Sequence, residues 1–159
     1  MNTRTQLTIK YNGYLQQGHL LLGVTLSSFV KSDGYAHSDL TRYLWDHHFI
    51  HRIKRHLPPG APLDHDYVLE PHPNWHYHGI IAVKSEHAHR LWSDNKLNKR
   101  LHNDVKSFEK AEPYRPFPIN SFDIAPVKNV EAWCRYITKQ PGSVVSSRMP
   151  QLGIVRLLN

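Results

Sequence analysis

His76-Tyr77-His78-Gly79-Ile80-Ile81-Ala82-Val83 constrains the architecture of this chain more than any other segment. The apolar run from Ile80 predicts a buried strand, extending back to Trp75. A strand repeats every two residues, so both imidazoles point to one face. Upstream, Tyr67-Val68-Leu69-Glu70 reads as a second strand, and Pro71-His72-Pro73-Asn74 as the turn between the two. Together they predict a β-hairpin that carries Glu70 beside the two histidines. Two neutral imidazoles and one carboxylate can bind a divalent cation and leave positions open for phosphate oxygens. Such a mixed set suits Mn²⁺ or Mg²⁺, although raw affinity favours Zn²⁺, Ni²⁺ or Cu²⁺. In a chain with 13 histidines, spacing and neighbours carry this reading, not the residue type alone.

Toward the N-terminus, Leu7-Thr8-Ile9-Lys10-Tyr11 alternates as a half-buried strand does, with Asn12-Gly13 as a turn. His19 to Phe29 reads as a buried strand. A long helix follows, capped by Ser38 or Asp39 and stopped by Pro58-Pro59-Gly60. Its apolar stripe includes Leu44, Ile50, Ile53 and Leu57, and Arg52, Lys54 and Arg55 decorate its C-terminal part. A second helix spans roughly His87 to Lys110, a loop Pro113 to Pro118, and a short strand Ser121 to Val127. A third helix from Asn129 to Gln140 buries Val130, Trp133, Cys134 and Ile137, and Pro141-Gly142 ends it. In the tail from 141 to 159, Gly153 to Leu158 reads as a last strand or a packed arm. This order predicts an α+β fold, a central antiparallel sheet of about five strands with flanking helices, in one domain over 1–159.

Lysine and arginine number 20 against 13 acidic residues, a formal charge of +7. That balance favours a polyanionic partner, nucleic acid before an anionic membrane surface. No apolar run approaches the ~20 residues of a membrane span, and the first residues do not build a signal-peptide core. The expectation is a cytoplasmic protein with no membrane partner. Cys134 is the single cysteine, which excludes an intrachain disulfide and a cysteine-based zinc site.

Tyr136-Ile137-Thr138-Lys139 lies in the third helix. At ~100° per residue, Lys139 and Gln140 fall roughly 60° and 40° to either side of Tyr136. The helix can therefore bury its apolar stripe and turn these three toward a cleft. A free phenol ionises near pH ~10 and attacks poorly at neutral pH. Attack on a phosphodiester then needs a cation that polarises the phosphate, and an ammonium such as Lys139 to offset developing charge.

With these residues in view, the chain resembles the HUH endonucleases, specifically the single-tyrosine rolling-circle replication initiators. Gly23-Val24-Thr25-Leu26-Ser27-Ser28 is similar to that family's first motif. His76-Tyr77-His78 is similar to the second, and Tyr136-Ile137-Thr138-Lys139 to the third. Glu70 sits where many members carry a third metal ligand. The resemblance spans roughly residues 6 to 140. It implies a sheet fold related to the RNA-recognition fold, with Tyr136 and Lys139 catalytic and Glu70, His76 and His78 holding the metal. It implies nicking of single-stranded DNA at an origin stem-loop through a 5′-phosphotyrosine, with a free 3′-hydroxyl that primes synthesis. A separate helicase and polymerase would act as partners, in a bacterial, plasmid or phage setting.

Thr25 and Ser27 in the first motif, Arg52 and Lys54 on the long helix, and Trp75 and Tyr77 on the histidine strand are the candidate DNA contacts. The basic pair and the two aromatics also have plainer readings: a solvated face for the first, the core for the second. A single-tyrosine transposase of the same superfamily is an alternative. That group takes a third metal ligand from a glutamine four residues after the tyrosine, and Gln140 has that spacing. A non-catalytic nucleic-acid-binding module, stacking bases on Trp75 or Tyr77, is a second alternative.

Overall fold

The computed structural model describes residues 2–31, 44–70, 74–92, 96–97, 99–100, 103, 119–140, 144–146 and 155–157. The chain runs through α1 (Thr3–Gln16), β1 (Leu20–Lys31) and a π-helical segment (Leu44–Ile50) leading into α2 (His51–Lys54). It continues through β2 (Leu63–Glu70), β3 (Asn74–Val83), α3 (Ser85–Leu91), β4 (Ile119–Pro126) and α4 (Val130–Ile137). Two short strands, β5 (Val144–Ser146) and β6 (Val155–Leu157), come last. The sheet order is β4-β1-β3-β2-β5-β6, and every pairing is antiparallel. The α+β class and the antiparallel sheet are as expected. The strand count is not: four long strands form the body, and two three-residue strands from the tail extend the β2 edge. Among the described residues, no helix is long and apolar enough to cross a membrane.

Strand periodicity divides the interior in two. Leu22, Val24, Leu26, Tyr67, Leu69, Tyr77, Ile81 and Val83 face one side, where Trp45, Phe49, Ile50 and Ile53 cover them. Leu21, Val68, Ile80 and Ala82 face the other, under Leu7 and Tyr11 of α1 and Val130, Cys134 and Ile137 of α4. Each layer presses a tryptophan onto a glycine. A Cβ on Gly79 would collide with the buried Trp45 indole, and one on Gly23 would lie 3.0 Å from the indole of Trp133.

Three sequence expectations need correction. The stretch Leu7 to Tyr11, expected as a strand, is helical within α1. Leu7 and Tyr11 are fully buried one helical turn apart, whereas Ile9, the middle of the apparent alternation, is 57% exposed. The Oδ1 of Asn2 caps the helix by accepting from the Thr5 N–H at 2.9 Å. Asn12-Gly13 lies inside the helix, and the chain turns at Gly18, whose φ of 79° suits glycine. Second, the long helix is a π-helical segment plus one α-helical turn over the described part of its range, and the expected caps Ser38 and Asp39 lie outside the described residues. Of the helix expected from His87, α3 accounts for the start, and most of the rest lies outside the described residues. Third, α4 ends at Ile137 rather than Gln140.

A polar clamp holds α1 to β2. Lys10 Nζ lies 2.9 Å from Asp64 and 2.7 Å from Asp66. The Tyr11 hydroxyl donates to Asp66 at 2.8 Å, and that of Tyr14 to Asp64 at 2.6 Å. Burial, then the hydrogen bond and charge of Asp64, push the Tyr14 phenol up to about 12. The folded form therefore holds this proton after the unfolded chain, with its ordinary value of 10.0, has lost it. This contribution is fully present below pH 10 and fades toward pH 12. Urea midpoints measured across that window are expected to fall less steeply for Tyr14→Phe than for the wild type. Parallel curves would contradict the clamp.

Candidate active site

The parity of β3 sends Ile80 and Ala82 toward α1 and α4, so His76 and His78 share that face. Register then sets their neighbours. Thr25 of β1 and Val68 of β2 flank His78, and Ser27 and Glu70 flank His76. Past Ile80 the face changes from apolar to polar, and the cleft begins there.

His78 is buried, and each ring nitrogen has a partner. Nδ1 lies 3.2 Å from the Thr25 hydroxyl, and Nε2 lies 3.0 Å from Oε2 of Glu70. A neutral ring with its proton on Nε2 donates to Glu70 and accepts from Thr25. Burial holds this imidazole below its ordinary value, Glu70 opposes that, and Lys139 and His76 add to it. The net direction keeps the ring neutral, the form that can ligate a metal.

Helix α4 brings in the tyrosine. Asn129 caps it, its Oδ1 accepting from the Ala132 N–H at 2.9 Å. Val130, Cys134 and Ile137 face the sheet, which leaves Tyr136 at the boundary, 43% exposed. The Tyr136 ring meets the His78 ring edge to face, with centroids 5.2 Å apart and planes at 74°. The helix stops one residue later. The Thr138 hydroxyl donates back to the Cys134 carbonyl at 2.6 Å and accepts from Nε of Arg4 at 3.1 Å. Beyond that stop Lys139 turns back, its Nζ 3.6 Å from the Tyr136 ring centroid and 3.8 Å from Oε1 of Glu70.

The structure therefore brings Thr25, Glu70, His78, Tyr136 and Lys139 into one cleft. His76 and Ser27, both half-buried, lie on the same face one register step farther along β3 and β1. Gln140 follows the helix end, and among the described residues no hydrogen bond ties its side chain to the cleft. Arg52 and Lys54 sit on α2, across the sheet, and are not brought to the tyrosine. Tyr77 is a core residue, 3% exposed and stacked with Trp45 at 6.0 Å, so it is not a base platform. Trp75 lies on β3, but its side chain is outside the described residues, as is all of His72. Sequence reading missed two exposed cations beside the cleft: Arg4, which braces the α4 terminus, and Lys128, which shares a hollow with Tyr136. Arg4 becomes visible only once α1 is known to be a helix.

Among the described residues, no three histidine, cysteine, aspartate or glutamate side chains converge tightly enough to hold a metal ion. Glu70 and His78 nonetheless form a suitable donor pair. Their 3.0 Å separation matches an octahedral edge, since adjacent ligands at about 2.1 Å from a cation lie about 3.0 Å apart. Oε1 of Glu70 is buried and, among the described residues, accepts no hydrogen bond, so it retains acceptor capacity. The Thr25 hydroxyl can accept as well as donate, so it supports either tautomer of His78. His76 is the register partner of Glu70 across the β2–β3 pair, on the same face of the sheet as His78. Comparison with known family models, curated proteins and solved structures returns no match to this chain.

Proposed function

We propose that this chain is a metal-dependent enzyme that nicks and joins single-stranded DNA, a replication initiator of the HUH class with Tyr136 as its nucleophile. The observation that carries this reading is the meeting of Tyr136 with His78 at 5.2 Å, in a cleft that also holds Glu70 and Lys139. A partly exposed phenol beside a buried His–Glu pair and a lysine suits phosphodiester transesterification better than any packing role.

The Tyr136 Oη attacks phosphorus, a new P–Oη bond forms and the P–O3′ bond breaks. The phenolic proton leaves to solvent, and the departing 3′ oxygen takes up a proton. One phosphodiester replaces another, so the reverse reaction rejoins strands at little cost. Lys139 is placed to offset negative charge that develops on the phosphate. Arg4 and Lys128, on either side, hold the flanking backbone. Glu70 and His78, with His76, would hold Mn²⁺ or Mg²⁺, which supplies polarisation of the scissile phosphate. Thr25 orients His78 from behind.

The test uses a random-sequence single-stranded DNA pool labelled at its 3′ end, incubated with protein and Mn²⁺ and run on a denaturing gel. The 3′ label is expected at the mass of the protein, because the 5′-phosphate stays on tyrosine, and a 5′ label is expected to be released. EDTA is expected to abolish transfer while leaving DNA binding. Binding without transfer under Mn²⁺ or Mg²⁺ would reduce the chain to a binding module. The orienting role of Thr25 has its own check in calorimetric titration with Mn²⁺. Thr25→Val is expected to weaken binding on the order of tenfold, with Thr25→Ser close to wild type. Equal affinities for all three would remove Thr25 from the site.

A further inference from the structure

Beside the candidate nucleophile, the edge of the sheet opens into a hollow of about 460 Å³ between β4 and α4. Its floor is Gly23 and Thr25, one wall is Trp133 and Tyr136, and Asp123 and Lys128 stand at its rim. Gly23 has no side chain, which lets the Trp133 indole and Val127 pack against the strand there. The indole is fixed there, its Nε1 donating to the Gly79 carbonyl at 3.1 Å. Trp133 and Tyr136 lie side by side, 5.5 Å apart and inclined by 31°. A held aromatic wall suits a planar ring, and successive bases of a single strand stack on such walls.

Asp123 is the discordant residue. It is an exposed carboxylate on a strongly basic chain, directly across from Thr25 in the β4–β1 register. Among the described residues its side chain makes no hydrogen bond or ion pair. A carboxylate there repels the phosphate backbone. It can, however, accept a hydrogen bond from the amino group of a base; thymine has no amino group, and its one N–H, at N3, lies between two carbonyl oxygens that repel a carboxylate.

We infer that this hollow holds one base of the substrate strand, stacked on Trp133 and selected for an exocyclic amino group by Asp123. Adenine, cytosine and guanine qualify, and thymine and uracil do not. The inference rests on the reading of Tyr136 as the nucleophile only in placing that base next to the cleaved bond. The selection itself is a binding property.

Fluorescence anisotropy in EDTA tests it, with oligo-dC, oligo-dT and oligo-dU of equal length as probes, so that no cleavage intervenes. Oligo-dC is expected to bind at least about fivefold tighter than oligo-dT, consistent with one amino-specific contact. Oligo-dU is expected to match oligo-dT, which excludes the thymine methyl as the cause. In Asp123→Asn the side chain can donate as well as accept, so the ratio is expected to fall to near one. Thermal melting is expected to be unchanged, because this side chain is exposed. Equal binding of dC and dT by the wild type overturns the inference, and so does a preference that survives Asp123→Asn. Loss of the nicking reading shows instead as absent label transfer with the dC preference intact.

Discussion

Tyr136→Phe is expected to bring covalent label transfer down to background, a fall of at least about 10⁴-fold, because no other group can take up the role of an absent nucleophile. The fold should not register the change. The hydroxyl belongs to a side chain 43% exposed, and the contacts that hold it, with His78, Trp133 and Lys139, are made by the ring. Deleting an exposed hydroxyl changes stability by about 0.5 kcal/mol at most, or roughly 2 °C in melting temperature. Single-stranded DNA binding should also persist, since Arg4, Lys128 and Lys139 remain. Residual transfer in this variant would mean that another residue carries the DNA, and the cleft around His78 would lose its assigned role.

Gly79→Ala is expected to have the largest effect on stability. The added methyl would point into the Trp45 indole. That indole cannot move aside, because it is fully buried. Phe49, Tyr67 and Tyr77 surround it at 5.0, 5.1 and 6.0 Å between ring centroids, and its Nε1 donates to Nδ1 of His65 at 2.9 Å. Overpacking a site of this kind costs about 3 kcal/mol, or roughly 6–12 °C in melting temperature for a domain of this size. Activity should fall as well. Gly79 follows His78 on β3, and its carbonyl receives the Trp133 indole, so a shift of the strand reaches both sides of the cleft. Trimming the partner gives the control: adding Trp45→Leu should recover part of the loss, a coupling that a double-mutant cycle measures. Melting of Gly79→Ala at the wild-type temperature would contradict this packing.

The hairpin was legible because two independent signals agreed, a β-branched apolar run and a proline-rich turn. Placing Glu70 on the strand beside the two histidines followed from them, and the register sets it opposite His76. Tyr77 was legible too, had parity been carried one step further. The period that puts two imidazoles on one face puts the residue between them on the other, and there it packs on Trp45. The N-terminal helix was not legible in the same way. Leu7-Thr8-Ile9-Lys10-Tyr11 satisfies a strand pattern and a helical Leu7–Tyr11 spacing at once. Tertiary contacts decide between them, chiefly Lys10 and Tyr11 on Asp66. At the end of α4 the Thr138 hydroxyl bonds both locally, to the Cys134 carbonyl, and to Arg4, far away in the chain. No local pattern announces the Arg4 contact, which lies next to the lysine that covers the tyrosine ring. Gly23 and Gly79 did carry a local signal: a lone glycine in an apolar strand marks close approach of another group, here a tryptophan on each face.

The most direct test is to find which side chain carries the DNA. Trypsin cuts after Arg135 and Lys139, so it releases Tyr136-Ile137-Thr138-Lys139 as a tetrapeptide with a single tyrosine. After reaction with single-stranded DNA and Mn²⁺, then nuclease and trypsin digestion, mass spectrometry should find a nucleotide 5′-phosphate on this tetrapeptide. A nucleotide on any other peptide, or none on this one while the DNA is cut, would contradict the account.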